Sequence, residues 1–253
     1  MNIILHIINK IKVFFLAAIC ALAVTSPAAS TGKKNIIDYY RLAPDGMLGG
    51  MKYSLVLKEG KFSAYNPNGA NLDVAVDIPK GFLMVSDTKT YENSRKVVQL
   101  TLINTEKNGH LIGVNWFTED STKGISSGTG AQFYKYTESQ MDGCCWENVN
   151  SKLFRLPEIG DFLNPVFDIS KSKGLNDIIV ETDKEYGLFR YSLLQSGSVM
   201  TISLNLSPFE YLKATAGSND KQAIQALMNN IRYREMKYQW DPKEGKFEVT
   251  GKK

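Results

Sequence analysis

Residues 96–117 read KVVQLTLINTEKNGHLIGVNWF, and their alternating apolar side chains form the clearest structural pattern in the chain. Apolar residues occupy every second position before and after a central turn: Val98, Leu100 and Leu102, then Ile112, Val114 and Trp116. The turn contains Asn108–Gly109, a pair that suits the positive φ angles of a tight hairpin. The stretch therefore predicts a β-hairpin with one face in the core. The opposite face, which carries Gln99, Thr101 and Asn115, is expected to be partly covered by a helix or by further strands.

Residues 1–30 have the composition of a signal peptide. Two lysines precede an apolar run over 13–24, and small residues fill 25–30. This order of basic, apolar and small residues predicts export and cleavage within 28–30. The alternative is an uncleaved membrane anchor, but the apolar run is shorter than a bilayer span. We therefore expect a periplasmic or cell-envelope protein with no membrane span after signal cleavage.

The charge of the mature chain excludes one class of partner. The whole sequence has a formal net charge of +4, and signal cleavage removes two lysines without removing an acidic residue. Lys and Arg are scattered through the remaining sequence and form no basic stripe. A nucleic-acid-binding surface needs such a stripe, so no nucleic-acid partner is predicted.

The rest of the chain alternates strand patterns with turn residues. Strands are predicted in three further hairpins and at four other places: 52–65, 186–206 and 236–249, then 72–76, 82–85, 132–136 and 178–180. Helices are predicted at Ile36–Leu42, with Asn35 as its N-cap, and in the region 208–231. Residues 119–130 and 140–150 lack an apolar period, so they are predicted to be surface loops.

This order of elements predicts an α+β fold, a mainly antiparallel sheet with a few short helices. Residues 31–150 and 151–253 would be two similar α+β units, and the alternative is one continuous domain. The predicted core combines apolar residues of the central hairpin with those of the C-terminal helical region: Leu100, Leu102, Ile112, Val114, Trp116, Ile224, Leu227 and Ile231.

Several short motifs run along the mature chain. They are IIDYY at 36–40, residues 111–117 followed by FY at 133–134, LFRLP at 153–157 with GDFL at 160–163, and YQW at 238–240 before GKF at 245–247. Together they resemble an uncharacterised family of secreted proteins from Bacteroidetes, known only as a domain of unknown function. The resemblance implies an exported α+β protein and no particular catalytic residue. The loop around Cys144 and Cys145 has no counterpart in it.

Histidine is scarce in this sequence. His6 lies in the signal segment, so His110 is the one imidazole of the mature chain. A single histidine cannot build a multi-histidine metal site, and no cofactor loop is recognisable, so no metal and no cofactor are predicted. His110 follows the Asn108–Gly109 turn, where a polar residue needs no functional reason. The alternative is a catalytic base in a small hydrolase.

The two cysteines of the mature chain, Cys144 and Cys145, are adjacent. Two thiols in an exported chain usually pair, but a bond between neighbours has a strained geometry and is easily reduced. A labile vicinal disulfide and a reduced pair are therefore both open. A thiol redox enzyme is the catalytic alternative, although no neighbouring base is identifiable.

Three aromatic residues flank the second predicted loop: Tyr134, Tyr136 and Trp146. Such residues serve a sugar or peptide binder, and they also fit a core or a domain junction. Because loops 119–130 and 140–150 flank the strand with the two tyrosines, we predict a binding face there. The predicted function is an exported, non-catalytic module that binds an envelope protein, peptide or glycan. The alternative is a small hydrolase or thiol redox enzyme that uses His110 or Cys144 and Cys145.

Overall fold

The central hairpin forms two long paired strands, β5 (Ser94–Asn104) and β6 (His110–Asp120). Their register joins the alternating apolar residues across the pair: Val98 with Trp116, Leu100 with Val114 and Leu102 with Ile112. The predicted pairing is confirmed, whereas the predicted turn at 106–109 lies outside the described residues. The computed structural model describes residues 33–69, 71–88, 93–105, 110–120, 125–128, 130–138, 146–193 and 198–253.

A large antiparallel sheet surrounds this hairpin. Its other strands are β1 (Leu55–Lys58), β2 (Lys61–Tyr65), β3 (Asn71–Asp77), β4 (Phe82–Asp87), β7 (Ile125–Gly128), β8 (Gln132–Tyr136) and β9 (Trp146–Asn148). The order is β1-β2-β3-β4-β5-β6-β8-β9, and β7 also pairs with β6. Strand β8 pairs with the first part of β6 and β7 with the last part, so both lie along the same edge of β6.

A second, four-stranded antiparallel sheet follows in the sequence. It consists of β10 (Phe189–Leu193), β11 (Val199–Leu204), β12 (Glu235–Asp241) and β13 (Lys246–Lys252), in that order. The α-helices of the described residues are α1 (Ile36–Leu42), α2 (Asn150–Leu153), α3 (Leu175–Tyr186), α4 (Ser207–Thr215) and α5 (Ser218–Asn229). Short 3-10 helices span Asp45–Leu48, Ile159–Phe162 and Ile169–Lys171.

Helix α1 begins where the sequence predicts. The Asn35 side chain accepts hydrogen bonds from the backbone N–H groups of Ile37 and Asp38, at 2.8 and 3.4 Å. The Asp38 carboxylate accepts one from the Asn35 N–H at 2.9 Å, which completes a capping box. The predicted helix and its N-cap are therefore confirmed.

Apolar side chains are buried in three layers. The first layer lies between α1 and one face of the large sheet and includes Leu100, Ile112 and Val114. The second layer lies between the other face of that sheet and the second sheet, around Phe133 and Met200. The third layer joins the helices that follow in the sequence: Leu175 and Ile179 of α3, Phe209 of α4, and Ile224 and Leu227 of α5.

The predicted fold class is wrong. It expected a few short helices and two similar α+β units, but the described residues form a sheet-dominated fold with sheets of nine and four strands. Helices α3 and α5 each have 12 residues. The helices also differ in how they pack, since α1 packs on the large sheet and the buried side chains of α3, α4 and α5 form a cluster of their own.

Three segments explain the error. The strand predicted at 178–180 is wrong, since these residues lie within α3. A short run of branched apolar residues fits either a strand or a buried helix segment. The predicted loop at 119–130 contains the end of β6 and strand β7, and the predicted loop at 140–150 contains β9. These strands are held by backbone hydrogen bonds at a sheet margin, which require no apolar alternation.

Residues Lys34–Lys253 form one compact unit, and the predicted boundary at 150–151 falls between the strands of the two sheets. The division into domains stays a prediction, and the predicted signal peptide lies outside the described residues. None of the helices in the described part of the chain has the length and apolar character needed to cross a membrane.

Tyr40 of α1 gives the fold a testable pH dependence. Its buried hydroxyl donates to the Met51 carbonyl and accepts from the Tyr53 N–H, both at 2.8 Å. Burial raises the pKa of this phenol from 10.0 to about 12. Because the folded state holds the proton more tightly, that stabilisation is complete below pH 10 and is lost as the pH rises from 10 to about 12.

We therefore expect the free energy of unfolding, measured by urea titration, to fall as the pH rises through this window. Tyr40→Phe should show a smaller fall, since the remaining loss comes from the other tyrosines with a raised pKa, above all Tyr191, whose pKa burial raises to about 12, and Tyr186, whose pKa the hydrogen bond with Glu185 raises to about 12. At neutral pH the variant should lose about 1–3 kcal/mol, because the Met51 carbonyl and the Tyr53 N–H lose their partner. If stability falls with pH as steeply in Tyr40→Phe as in wild type, the Tyr40 phenol does not contribute to this pH dependence.

Candidate functional site

Strands β8 and β9 bring together the three aromatic residues predicted from the sequence. The register places Tyr136 opposite Trp146, and their ring centroids are 4.9 Å apart. Tyr134 lies two positions before Tyr136, so both tyrosines occupy the same face of β8. The centroid of the Tyr134 ring is 6.3 Å from that of Trp146. The three side chains thus meet at the margin of the large sheet.

Two further rings complete this arrangement. Tyr39 of α1 lies with its ring centroid 5.6 Å from Tyr136, 6.2 Å from Trp146 and 6.0 Å from His110. We call Tyr39, His110, Tyr134, Tyr136 and Trp146 the aromatic cluster. Tyr134, Tyr136 and Trp146 are partly buried and pack against the core beneath α1, so each has a covered side and an accessible side.

Two phenols of the cluster, those of Tyr39 and Tyr134, are neutral at physiological pH because their pKa is raised. Burial raises the pKa of Tyr39, and the nearby Tyr136 contributes to the same shift. Burial also raises the pKa of Tyr134, whose hydroxyl donates to the side-chain oxygen of Gln132. At one side, the Lys34 ammonium lies 5.9 Å from the centroid of the Tyr136 ring and forms an ion pair with Glu138. The cluster therefore offers aromatic surface and hydroxyl groups, with a charged pair beside it.

Cys144 and Cys145 immediately precede β9 in the sequence and lie outside the described residues. Both hypotheses for this pair, the vicinal disulfide and the reduced thiols, stay predictions.

His110 also lines a pocket of about 300 Å³ between the large sheet and the β12–β13 hairpin. We call it the hairpin pocket, and its walls are Thr105, His110, Leu111, Lys135, Leu153, Trp240, Pro242, Lys243, Glu244 and Gly245. A hydrolase that uses His110 would need a nucleophile and a carboxylate nearby. Among these wall residues, Glu244 has a carboxylate and Thr105 has a hydroxyl group. None of the wall residues is a serine or a cysteine.

A smaller pocket of about 150 Å³ lies between the large sheet and β10. Its floor includes Gln99 and Asn115, the polar residues on the second face of the central hairpin. The Asn115 amide donates to the Tyr191 carbonyl at 2.7 Å and to the Gln99 side-chain oxygen at 3.2 Å. The sequence predicts that this face is partly covered, and β10 is the strand that covers it. The alternating polar residues of this face were the signal in the sequence that it is covered. Nothing in the sequence identifies β10 as the covering strand.

Within the described ranges, no group of three or more His, Cys, Asp and Glu side chains is arranged to hold a metal ion. The predicted absence of a metal and a cofactor stays a prediction.

Comparisons with known proteins identify a fold and no function. No family model matches the chain, and no curated protein matches it. A solved structure, that of a domain of an uncharacterized protein from Porphyromonas gingivalis W83, covers 86% of this chain and 99% of that domain. The two share 12% sequence identity with a TM-score of 0.53, so the similarity is one of fold alone. Because Porphyromonas gingivalis belongs to the Bacteroidetes, this neighbour fits the resemblance to uncharacterised proteins of that group.

Proposed function

We propose that the chain is an exported, non-catalytic binding module of the secreted Bacteroidetes family that it resembles, and that it binds an envelope protein or peptide at the aromatic cluster. The observation that carries the proposal is the meeting of Tyr134, Tyr136 and Trp146 at the margin of the large sheet, with rings 4.9 to 6.3 Å apart. The signal-peptide pattern of residues 1–30 supports export.

The chemistry of these side chains favours a protein or peptide partner. Tyr and Trp combine a large apolar ring with a polar group, and they are the residues that most often dominate the energy of protein interfaces. Here the rings belong to hydrogen-bonded strands that are already ordered. Binding would therefore lose little conformational entropy in this part of the protein. Among the described strands, β9 pairs only with β8, which leaves the Trp146 strand at the edge of the sheet.

The proposal is tested by capture from envelope extract on the immobilised mature protein. Wild type is compared with the double variant Tyr134→Ala/Trp146→Ala and with the control variant Tyr65→Ala. Tyr65 is 48% exposed and lies on β2, near the opposite edge of the sheet. Wild type and Tyr65→Ala should capture the same partner, and the double variant should lose it. Thermal melting shows that each variant is folded.

Treatment of the extract separates the classes of partner. Protease should abolish capture, and a cell-wall hydrolase should leave it intact. Loss of capture after the hydrolase alone would identify a glycan and would contradict a protein partner. Equal recovery by all three proteins, or recovery by none, would show that the aromatic cluster is not a binding face.

The hairpin pocket favours one alternative, a small hydrolase, because His110, Thr105 and Glu244 all line it. Turnover of a panel of ester and peptide substrates, if abolished by His110→Ala, would replace the binding module with this enzyme. The thiol redox alternative, with Cys144 and Cys145, would instead require turnover that is lost on alkylation.

A further inference from the structure

One open edge of the large sheet lies beside the aromatic cluster. Strand β9 is the last strand of that sheet, and among the described residues it pairs with β8 alone. The Val149 N–H donates to the Phe133 carbonyl at 2.9 Å. In an antiparallel ladder with this register, the next bonds along β9 are the two that Glu147 exchanges with Lys135. The N–H and carbonyl groups of Glu147 therefore face β8.

The backbone groups of Trp146 and Asn148 face the opposite way. Along an antiparallel strand, residues that exchange hydrogen bonds with one neighbour alternate with residues whose N–H and carbonyl groups point away from it. Trp146 and Asn148 flank Glu147, so their two N–H groups and two carbonyl groups point to the open side of β9. The open side thus offers two donors and two acceptors, two residues apart, and an extended polypeptide matches this spacing.

The Trp146 ring gives this edge an apolar contact surface as well. Residues that lie opposite each other on neighbouring strands project to the same face of a sheet. A residue opposite Trp146 on an added strand would therefore project to the face that holds the Trp146 and Tyr136 rings, which are only partly buried. Strand β9 has three residues, so four backbone hydrogen bonds would fix the direction of the added segment and the rings would supply most of the contact area.

We propose that the partner of the aromatic cluster is an extended polypeptide segment that joins the large sheet as an additional strand along β9. The segment exchanges backbone hydrogen bonds with Trp146 and Asn148, and its side chain opposite Trp146 is apolar and packs on that ring. This inference rests on the proposed function and specifies the form of the partner, because a glycan has no amide backbone and a helix satisfies its own.

The first measurement uses the mature protein alone. Amide hydrogen exchange, followed by nuclear magnetic resonance on the ¹⁵N-labelled protein, should show that the backbone amides of Trp146 and Asn148 exchange at least about tenfold faster than that of Glu147. The reason is that, of these three N–H groups, only that of Glu147 is hydrogen-bonded to a neighbouring strand. Equal protection of all three amides would mean that the edge is already covered, and it would overturn the proposal.

Asn148 allows one outward N–H to be removed while the β8–β9 ladder is kept. Proline has no N–H and is tolerated on an edge strand where that group faces away from the neighbouring strand. Asn148→Ala is the matched control, because it removes the same side chain and keeps the N–H. In capture from envelope extract, Asn148→Pro should bind the partner about three- to tenfold more weakly than Asn148→Ala, the loss expected for one backbone hydrogen bond. Protection of the Glu147 amide in both variants shows that β9 stays paired.

The partner eluted from wild type provides a second exchange measurement. Its addition should slow exchange of the Trp146 and Asn148 backbone amides at least about tenfold, because both become hydrogen-bonded. Unchanged exchange, or equal capture by Asn148→Pro and Asn148→Ala, would overturn strand addition. If Tyr134→Ala/Trp146→Ala still loses the partner in that case, the proposed function stands and only the form of the partner is wrong. Equal recovery by the double variant and wild type, or recovery by neither, would overturn both.

Discussion

Val114→Asp is expected to lower the free energy of unfolding by about 3–5 kcal/mol, a loss large enough to unfold a marginally stable chain. Val114 lies in the middle of β6, is 2% exposed and belongs to the core layer beneath α1. Its cross-strand neighbours are Leu100 and Gln132, and neither can neutralise a carboxylate. The substitution would therefore bury a charge without a partner, which is among the costliest single changes.

The matched control is Val56→Asp on β1, where the native side chain is 47% exposed. The same chemical change at this position should alter stability by no more than about 0.5 kcal/mol, because the carboxylate remains in water. Urea denaturation of both variants measures the difference. Similar losses at the two positions would mean that the β5–β6 pairing does not place Val114 in the core.

The parts of the fold that sequence predicts correctly are governed by local interactions. The sequence of the β5–β6 hairpin combines strict apolar alternation with an Asn-Gly pair that predicts a tight turn, and these two signals specify the same register. Helix α1 is marked by Asn35 and Asp38, which satisfy each other's backbone groups within one turn. Neither feature needs information from a distant part of the chain.

The errors concern interactions between distant segments. Strand β7 exists because its backbone pairs with the end of β6, and its sequence has no strand period of its own. In α3, Ile179 is buried against the other helices while Val180 is 53% exposed. That is a helical pattern, but a three-residue apolar run is too short to reveal it.

The same distinction between local and distant interactions applies to the candidate sites. Tyr134 and Tyr136 share a predicted strand, and Trp146 belongs to the predicted loop that follows it, so the short separation in sequence is enough to predict that the three side chains lie close together. Tyr39 joins them from α1 because that helix packs on the large sheet, which the sequence does not show. The hairpin pocket was missed entirely, since Lys135 and Lys243 belong to different sheets.

Gly49→Ala is the second substitution with a large expected effect. Gly49 follows the turn Asp45–Leu48 with a φ of +64°, a left-handed conformation that side chains with a Cβ disfavour. A Cβ at this position would lie 2.4 Å from the Trp116 ring. The variant therefore combines backbone strain with overpacking against a partly buried ring, and it should lose about 2–4 kcal/mol of stability.

Gly50→Ala separates the two causes. Gly50 has a similar φ of +77°, but a Cβ there would have no neighbouring atom within 4 Å. This variant should lose only the backbone contribution, about 1–2 kcal/mol, in the same urea titration. The additional loss in Gly49→Ala measures the contact with Trp116, and it should shrink when Trp116 is replaced by the smaller leucine in both backgrounds. If Gly49→Ala and Gly50→Ala are equally stable, Trp116 does not lie against this turn, and the packing of the turn on the central hairpin is wrong.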